Sequence, residues 1–484
     1  MTDGSADKKT WGCRHRQVWS TLVMAAVVVL ASGCGTLMSH SAVVAASTGA
    51  AGTAAGGSSS SNKSALGAGS TSSSLPNGSA TGTGASGAAG QGNSGQIGAG
   101  SSGAGAQSGG GAGTSAAAAG GGQATGSPIV LGSVGTSSGF IGADFAGWQQ
   151  EEQVWAKYTN AHGGLNGHPV SVVSADDGAD PSTNLSLVQQ MVTQDHVIAF
   201  VGNMTPLSIQ GSESYLQQVH IPVIGGDLVS PDWYTNPDFF PQGTSITKLV
   251  VAMVKAAVAK GHKKFALVSC VESAVICNGA TSAYSNAVKQ AGATLVYQSS
   301  ATLTAPSYTA QCIGAQQAGA EFMYFESDGA SLIRMADDCA SQGYHPAYAD
   351  TGLAATPTLL GDSNLNGTYF PSPVFPFVVG NTPATAAYQQ AQKTYDPSLS
   401  SDGATALEWT AGELAVAASK DLGAAPTSAQ FLQGLYSIQN NNLGGIAPPL
   451  TFTNGAPAAS SYCSFAFDIQ GGQWSAPNGA TASC

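Results

Sequence analysis

Short apolar runs alternate with segments of helical spacing through residues 128–484. The first run, PIVLGSVG at 128–135, is rich in β-branched residues and ends in glycine, and the segment after it has apolar residues at helical spacing. Later runs repeat this order: HPVSVVSADD, VIAFVGN, IPVIGGD, KKFALVSC, AEFMYFES and HPAYADTG. Such alternation is typical of parallel sheets with helices on both faces. We therefore predict an α/β fold of two Rossmann-like lobes, each with a parallel sheet.

Residues 1–34 have the pattern of an export signal. Four basic residues precede the apolar run VWSTLVMAAVVVLAS, which is followed by Gly33 and Cys34. The run is shorter than the ~20 apolar residues that span a bilayer. Cys34 is similarly placed to the lipidated cysteine of a bacterial lipobox, although Leu30 lies four residues before it rather than three. We predict a lipoprotein-type signal with lipidation at Cys34; an ordinary secretory signal and an uncleaved anchor remain alternatives.

Residues 35–127 are almost entirely Gly, Ala, Ser and Thr. A segment of this composition cannot bury enough apolar surface to offset the entropy lost on ordering. We therefore predict a disordered tether between the signal and the folded part.

Charge excludes one class of function. After the two aspartates and five basic residues that precede residue 128 are set aside, 25 carboxylates and ten Lys or Arg remain, a net charge of −15. Binding to nucleic-acid phosphates requires clustered cations, so we expect no nucleic-acid partner. No motif in this part indicates a cofactor, and none is predicted.

Six cysteines follow the tether. An even number in an exported domain indicates disulfides, although sequence alone leaves all fifteen connectivities open. A zinc site is disfavoured because no Cys-x-x-Cys or His-x-His spacing accompanies them. We predict pairing of nearest neighbours: Cys270 with Cys277, Cys312 with Cys339, and Cys463 with Cys484.

The segment HGGLNGHPVSVVSADDGADP at 162–181 identifies a family. With VIAFVGN, IPVIGGD, KKFALVSC, AEFMYFES and PLTFTNG in the same order, it resembles the leucine/isoleucine/valine-binding family, the type I periplasmic substrate-binding proteins of ABC transporters. The resemblance implies two lobes joined by a hinge. We assign residues 128–246 and 376–445 to lobe 1, and residues 247–375 and 446–484 to lobe 2.

The three aspartates of this segment are expected to be structural. Gly163 and Gly164 end a helix where φ > 0 is needed, and Asp180 with Pro181 can begin the next one. A calcium-binding loop would need Asp or Asn ligands at alternating positions over a longer segment. No metal site is therefore predicted.

The resemblance also implies a ligand site in the cleft between the lobes. In the family, hydroxyls and backbone N–H groups of lobe 1 bind the carboxylate of an amino acid, and an acid of lobe 2 binds its ammonium. By position, Pro206 replaces a ligand-binding serine and Thr351 replaces the ammonium-binding glutamate, so Asp350 beside it is a candidate substitute. Asp328 and Asp350 are equally well explained as solvated loop carboxylates. The candidate ligand-binding residues are Ser137, Ser138, Thr205, Ser208, Leu228, Val229, Ser230, Asp328, Asp350 and Thr351.

These features predict a receptor rather than an enzyme. We expect an extracytoplasmic, lipid-anchored protein of the cell envelope or periplasm that delivers a branched-chain amino acid, an amide or a small organic acid to the permease and ATPase of an ABC importer. One alternative is a ligand sensor without transport. Another is a serine hydrolase, because GTSSG at 135–139 fits the nucleophile-elbow pattern after a strand, with His220, His262 and His345 downstream.

Overall fold

The computed structural model describes residues 124–484. The predicted signal, Cys34 and nearly all of the predicted tether lie outside these residues. None of the helices in 124–484 is long and apolar enough to cross a membrane.

The first sheet has five strands, all parallel, in the order β2-β1-β3-β4-β5. Their apolar side chains are buried on both faces, as expected for a parallel sheet covered by helices. The strands are β1 (Ile129–Gly135), β2 (Val170–Asp176), β3 (Phe200–Asn203), β4 (Val223–Gly226) and β5 (Phe239–Phe240).

Two groups of helices cover this sheet. The first group connects its strands: α1 (Trp148–Ala161), α2 (Pro181–Thr193) and α3 (Glu213–Val219). A second group comes from much later in the chain, after the strands of the second sheet, and is numbered below. The first sheet and both helix groups are called lobe 1 here.

The second sheet has seven strands in the order β12-β11-β10-β9-β8-β6-β7. Neighbours from β7 to β10 are parallel, as predicted, whereas β11 runs antiparallel to both β10 and β12, so the sheet has an antiparallel edge. The strands are β6 (Lys264–Ser269), β7 (Thr294–Ser300), β8 (Phe322–Phe325), β9 (Ala347–Ala349), β10 (Tyr369–Ser372), β11 (Phe465–Gln470) and β12 (Gln473–Ser475).

Four helices accompany the second sheet and complete lobe 2: α4 (Ile246–Ala259), α5 (Ala274–Gln290), α6 (Thr309–Gln317) and α7 (Gly329–Ser341). The chain then returns to lobe 1 with α8 (Pro383–Tyr395), α9 (Gly403–Ala418) and α10 (Ser428–Tyr436). Helix α8 packs on α1, and α9 packs on α1, β3 and β4.

The chain crosses between the lobes three times, and the crossing segments are hydrogen-bonded to one another. Thr244 donates its backbone N–H to the carbonyl of Pro373 (3.4 Å) and its hydroxyl to the carbonyl of Cys463. Phe375 donates its N–H to the carbonyl of Ile446 (2.9 Å). Crossings tied in this way form a hinge about which two lobes can rotate.

The loops around β2 have the structural roles expected from the sequence. Gly163 and Gly164 have φ of 102° and 70° just after α1, and the Asp180 side chain caps α2 by accepting the N–H of Thr183 (2.7 Å). Asp177 accepts hydrogen bonds from several groups: the hydroxyls of Thr136 (2.8 Å) and Ser208 (2.6 Å), the amide of Asn184 (3.0 Å) and the N–H of Ala179 (2.9 Å). The aspartates therefore join the loops at the carboxyl edge of the first sheet.

All three predicted disulfides are present. Cys270–Cys277 links the end of β6 to α5, Cys312–Cys339 ties α6 to α7, and Cys463–Cys484 closes the C-terminal segment. The α6–α7 disulfide is fully buried, so it acts as part of the lobe 2 core.

The interior of lobe 1 contains carboxyl groups without a basic partner. Glu151 and Glu152 on α1 and Glu408 on α9 are each at least 98% buried. Glu151 accepts a hydrogen bond from Gln392 (2.7 Å), whereas neither oxygen of Glu408 has a partner among the described residues. Burial raises the pKa of Glu151 from 4.5 to about 8 and the pKa of Glu408 well above its usual range. Burial therefore favours the protonated, neutral form of these side chains in the folded protein.

Such groups make stability fall as pH rises. The folded state keeps the proton of Glu151 up to about pH 8, whereas the unfolded state loses it near pH 4.5, so stability is lost across that window. Each unit of the shift corresponds to ~1.4 kcal/mol. The Glu151→Gln variant should therefore lose less thermal stability than wild type between pH 5 and pH 8. Thermal denaturation followed by circular dichroism at three pH values measures this.

Glu321→Gln is the control for that experiment. Glu321 is fully exposed, and the backbone N–H of Lys263 holds its pKa below the usual value, so its titration lies below pH 5. A steeper loss of stability in Glu151→Gln than in wild type would contradict the neutral state of this side chain.

Candidate functional site

A small cavity lies between the lobes, where the carboxyl edges of the two sheets face each other. Its volume is about 100 Å³, below the ~300–1,000 Å³ of sites for drug-sized ligands, so it suits a compact ligand. Most lining side chains are apolar: Ile141, Phe145, Pro206, Leu207, Val229, Ile246, Ile276, Leu303, Leu353 and Ala354, with Cys270 beside them. The polar lining residues are Asp144, Tyr324, Glu326, Ser327, Asp328, Asp350 and Thr351.

The loop after β1 forms the main wall on the lobe 1 side. A turn of 3-10 helix at Gly142–Phe145 directs Asp144 and Phe145 into the cavity. Burial raises the pKa of Asp144 to about 8, and Asp328 across the cleft adds to this shift. Pro206, Leu207 and Val229 complete this wall.

The lobe 2 wall is built from the ends of two neighbouring strands. Glu326 and Asp328 follow β8, and Asp350 follows β9, so the parallel register brings them to one edge. Asp350 accepts hydrogen bonds from Ser327 (2.9 Å) and from the N–H of Thr351 (2.7 Å), and its burial raises its pKa well above the usual range. Asp328 caps α7 by accepting the N–H (2.8 Å) and hydroxyl (2.6 Å) of Ser331. Asp328 and Asp350 are thus buried rather than solvated.

Four carboxyl groups therefore face this cavity, and none of the described residues that line it is Lys, Arg or His. Across residues 124–484 the structure has one ion pair, His220 with Asp238 (3.1 Å), and neither residue lines the cavity. Arg334 donates to the hydroxyl of Ser331 (2.8 Å) and to the carbonyl of Leu303 rather than to a cleft acid. Carboxyl groups in such a site can pair with a cation when they are ionised, and they can accept hydrogen bonds in either protonation state.

Two contacts hold the lobes together around the cavity. The N–H of Gly329, at the first turn of α7 in lobe 2, donates to both carboxyl oxygens of Asp144 in lobe 1 (3.1 and 3.3 Å). The N–H of Gly403, at the start of α9 in lobe 1, donates to the carbonyl of Ala355 in lobe 2 (3.3 Å). A Cβ at position 403 would lie 2.0 Å from the carbonyl oxygen of Gly352, so this contact requires glycine.

The predicted ligand-binding residues divide into two groups. Four line the cavity: Val229, Asp328, Asp350 and Thr351. Six lie outside the lining: Ser137, Ser138, Thr205, Ser208, Leu228 and Ser230. Ligand contact by the first four stays a prediction.

The second group has other bonding partners. Ser137 donates its N–H to Asp176 (2.9 Å) and Ser138 is exposed, so the loop turns them away from the cavity. Thr205 donates its N–H to Asp227 (3.0 Å), and Ser208 donates its hydroxyl to Asp177. Ser230 caps a turn of 3-10 helix at Pro231–Tyr234, and buried Leu228 adopts φ of 63°.

Two cavity acids were missed from the sequence, Asp144 and Glu326. Glu326 directly follows the buried run FMYF, and the rule that ligands bind at the carboxyl ends of parallel strands could have identified it. Asp144 carried no such signal, because it lies in a segment that the apolar spacing assigned to one continuous helix.

Two cysteines that could bind a metal, and two of the three histidines considered for a hydrolase, have other partners in the structure. The cluster of potential metal ligands in residues 124–484 is Glu326 with Cys270 and Cys277, whose sulfurs are already bonded to each other. For the hydrolase motif, His220 is paired with Asp238, and His262 stacks against Phe322 of lobe 2.

The family model for periplasmic binding proteins matches residues 128–468, which include both sheets. The chain belongs to the periplasmic-binding-protein family. It is therefore a ligand-binding receptor of the periplasmic type, and this family places it outside the cytoplasm. Members are substrate-binding proteins and typically non-enzymatic.

Related proteins agree on the fold but differ in ligand. A branched-chain amino acid ABC transporter protein from Thermus thermophilus, with bound valine, has a TM-score of 0.66 at 16% identity over 74% of this chain and 98% of its own. A fatty acid ABC transporter substrate-binding protein from Thermomonospora curvata has a TM-score of 0.63 at 16% identity, covering 72% of this chain and 92% of its own.

One curated relative is closer in sequence but matches a shorter stretch. An amino acid binding protein from Pseudomonas aeruginosa is 32% identical over 124 residues, which is 24% of this chain and 30% of that protein. The chain thus matches under a third of the length of this relative, and the match does not carry a ligand across to it.

The close approach at Gly403 generates a test of lobe closure. Gly403→Ala should push the lobes apart, because its methyl group would overlap the carbonyl of Gly352. We expect the far-UV circular dichroism of wild type but a larger radius of gyration in small-angle X-ray scattering.

Gly279→Ala is the matched control. Gly279 lies within α5, and a Cβ there would meet nothing within 4 Å, so the lobes should stay as in wild type. An unchanged radius of gyration in Gly403→Ala would show that this contact does not limit closure.

Proposed function

We propose that this periplasmic binding protein is the substrate-binding protein of an ABC importer. Its ligand would be compact, with an apolar body and a polar end that is cationic or donates hydrogen bonds. The observation that carries this proposal is the cavity lining, with four carboxyl groups, apolar walls and no basic side chain among its described residues. The permease and ATPase of the importer would be its partners, and Cys34 would hold it at the membrane.

The cavity chemistry separates the ligand classes expected from the sequence. An amino acid or a primary amine offers an ammonium, and an amide offers N–H donors, so each can satisfy a buried carboxyl group. A small organic acid would bring a carboxylate into the cavity, where none of the described lining residues is a base that could pair with it, and burial of an unpaired ion costs several kcal/mol. An anionic ligand therefore fits this cavity poorly.

A matched series of small molecules tests the ligand class. 3-Methylbutylamine, 3-methylbutanamide and 3-methylbutanoate share one branched apolar body and carry a cationic, a neutral and an anionic end. We expect residues 124–484 to be stabilised by the amine, less by the amide and not by the anion in thermal-shift measurements at pH 7.5. A ligand at 100-fold its dissociation constant adds ~2.7 kcal/mol of stability.

L-Leucine and L-leucinamide extend the series. Removal of the α-carboxylate charge should strengthen binding, since none of the described residues that line the cavity is a base that could pair with it. Stabilisation by 3-methylbutanoate that exceeds stabilisation by the amine would overturn the proposed ligand class.

A further inference from the structure

Of the four acids that line the cavity, Glu326 is the one whose two carboxyl oxygens both lack a hydrogen-bond partner among the described residues. Its side chain is 94% buried, since only 6% of its surface is exposed, and it lines the cavity. Neither of its carboxyl oxygens has a hydrogen-bond partner among the described residues. The other three acids differ, because Asp328 and Asp350 each accept two hydrogen bonds from the protein and Asp144 shares the N–H of Gly329 between its two carboxyl oxygens.

The surroundings of Glu326 offer it no positive charge. Its carboxyl group lies within 4.8 Å of the sulfurs of Cys270 and Cys277, which are joined in an apolar disulfide. The titratable groups that face it from the packed elements are Asp350 after β9, Tyr324 on β8, and Asp144 and Asp328, which line the same cavity. Burial, and next the proximity of Asp350, raises the pKa of Glu326 well above its usual range.

A buried polar group without a partner is rare in native proteins and calls for an explanation. Leaving such a group unpaired costs about 1–3 kcal/mol, and more when it is charged. In the empty cavity the cost is limited by keeping a proton on Glu326. A cation placed against it would instead supply the missing partner, and the carboxylate would then be the favoured form.

We propose that Glu326 is a specificity-determining residue that pairs with the cationic end of the ligand. As the cation enters, the Glu326 carboxylic acid transfers its proton to solvent and becomes the carboxylate of an ion pair, so that one proton is released per cation bound. This inference rests on the function proposed above, and it adds that capture is coupled to pH.

Calorimetric titration of residues 124–484 with 3-methylbutylamine tests the inference. The amine stays charged below pH ~10, as lysine does, so only the protein titrates over pH 6–8.5. The wild-type protein should release up to one proton, measured from titrations in two buffers of different ionisation enthalpy. Its affinity for the amine should rise as pH rises from 6 to 8.5.

Glu326→Gln keeps the size of the side chain and removes its charge. We expect at least a tenfold loss of affinity for 3-methylbutylamine, no proton release, and less than a threefold change for neutral 3-methylbutanamide. The control is Glu321→Gln, the same substitution at the exposed residue that precedes β8, whereas Glu326 follows that strand. It should bind both molecules as wild type does.

The outcomes separate this inference from the proposed function. If wild type binds the amine, but Glu326→Gln binds it equally well or still releases the proton, Glu326 is not the cation partner and the proposed ligand class stands. If wild type binds 3-methylbutanoate and not the amine, both fail. Loss of the amine and the amide together in Glu326→Gln would indicate a general role in cavity shape and would overturn the specificity assignment.

Discussion

Carboxyl groups buried without a cation are the constraint on which this structure depends. With 25 carboxylates against ten Lys and Arg after residue 127, few acids can find a basic partner, and residues 124–484 contain one ion pair, between His220 and Asp238. Each buried acid must then keep its proton or be solvated by hydrogen bonds from neighbouring groups. Buried Asp177 is solvated in this way by hydroxyl, amide and backbone N–H donors. Glu151 and Glu408 lie inside lobe 1, where burial raises the pKa of each and so favours keeping the proton.

Buried acids have different consequences in the interior of lobe 1 and in the cleft between the lobes. Inside lobe 1 the acids are sealed by α1 and α9, so their protons matter only for stability. In the cleft, acids from both lobes face a cavity that opens when the lobes separate. Asp144 of lobe 1 is satisfied there by Gly329 of lobe 2, and this hydrogen bond exists only while the cleft is closed. Lobe closure and the state of the cleft acids are therefore linked.

Much of the fold could be predicted from the sequence, because the spacing of apolar residues and the glycines that end helices are local properties. The alternation of strands and helices, the turn at Gly163 and Gly164, the cap at Asp180 and the three disulfides were all predicted. The antiparallel edge strands β11 and β12 were not, since the direction of a strand is set by tertiary connection rather than by its own residues. The residues of the candidate ligand site were harder to predict than the fold. Position by resemblance placed Val229 and Asp350 at the cavity, but it could not show that Ser137 turns toward Asp176 or that Asp144 reaches across the cleft.

The chemistry of the cleft also explains how an empty receptor can differ from a loaded one. In this structure Glu326 is buried without a partner, so its desolvation offsets part of the free energy gained from packing the apolar walls. A cation against Glu326 removes that penalty only in the closed form, because only there are both walls in contact with the ligand. A ligand shifts a conformational equilibrium by its difference in affinity for the two states. If Glu326 pairs with the cation as proposed, that difference is large for a cation and small for a neutral molecule of the same shape, and the extent of closure would depend on the charge of the ligand.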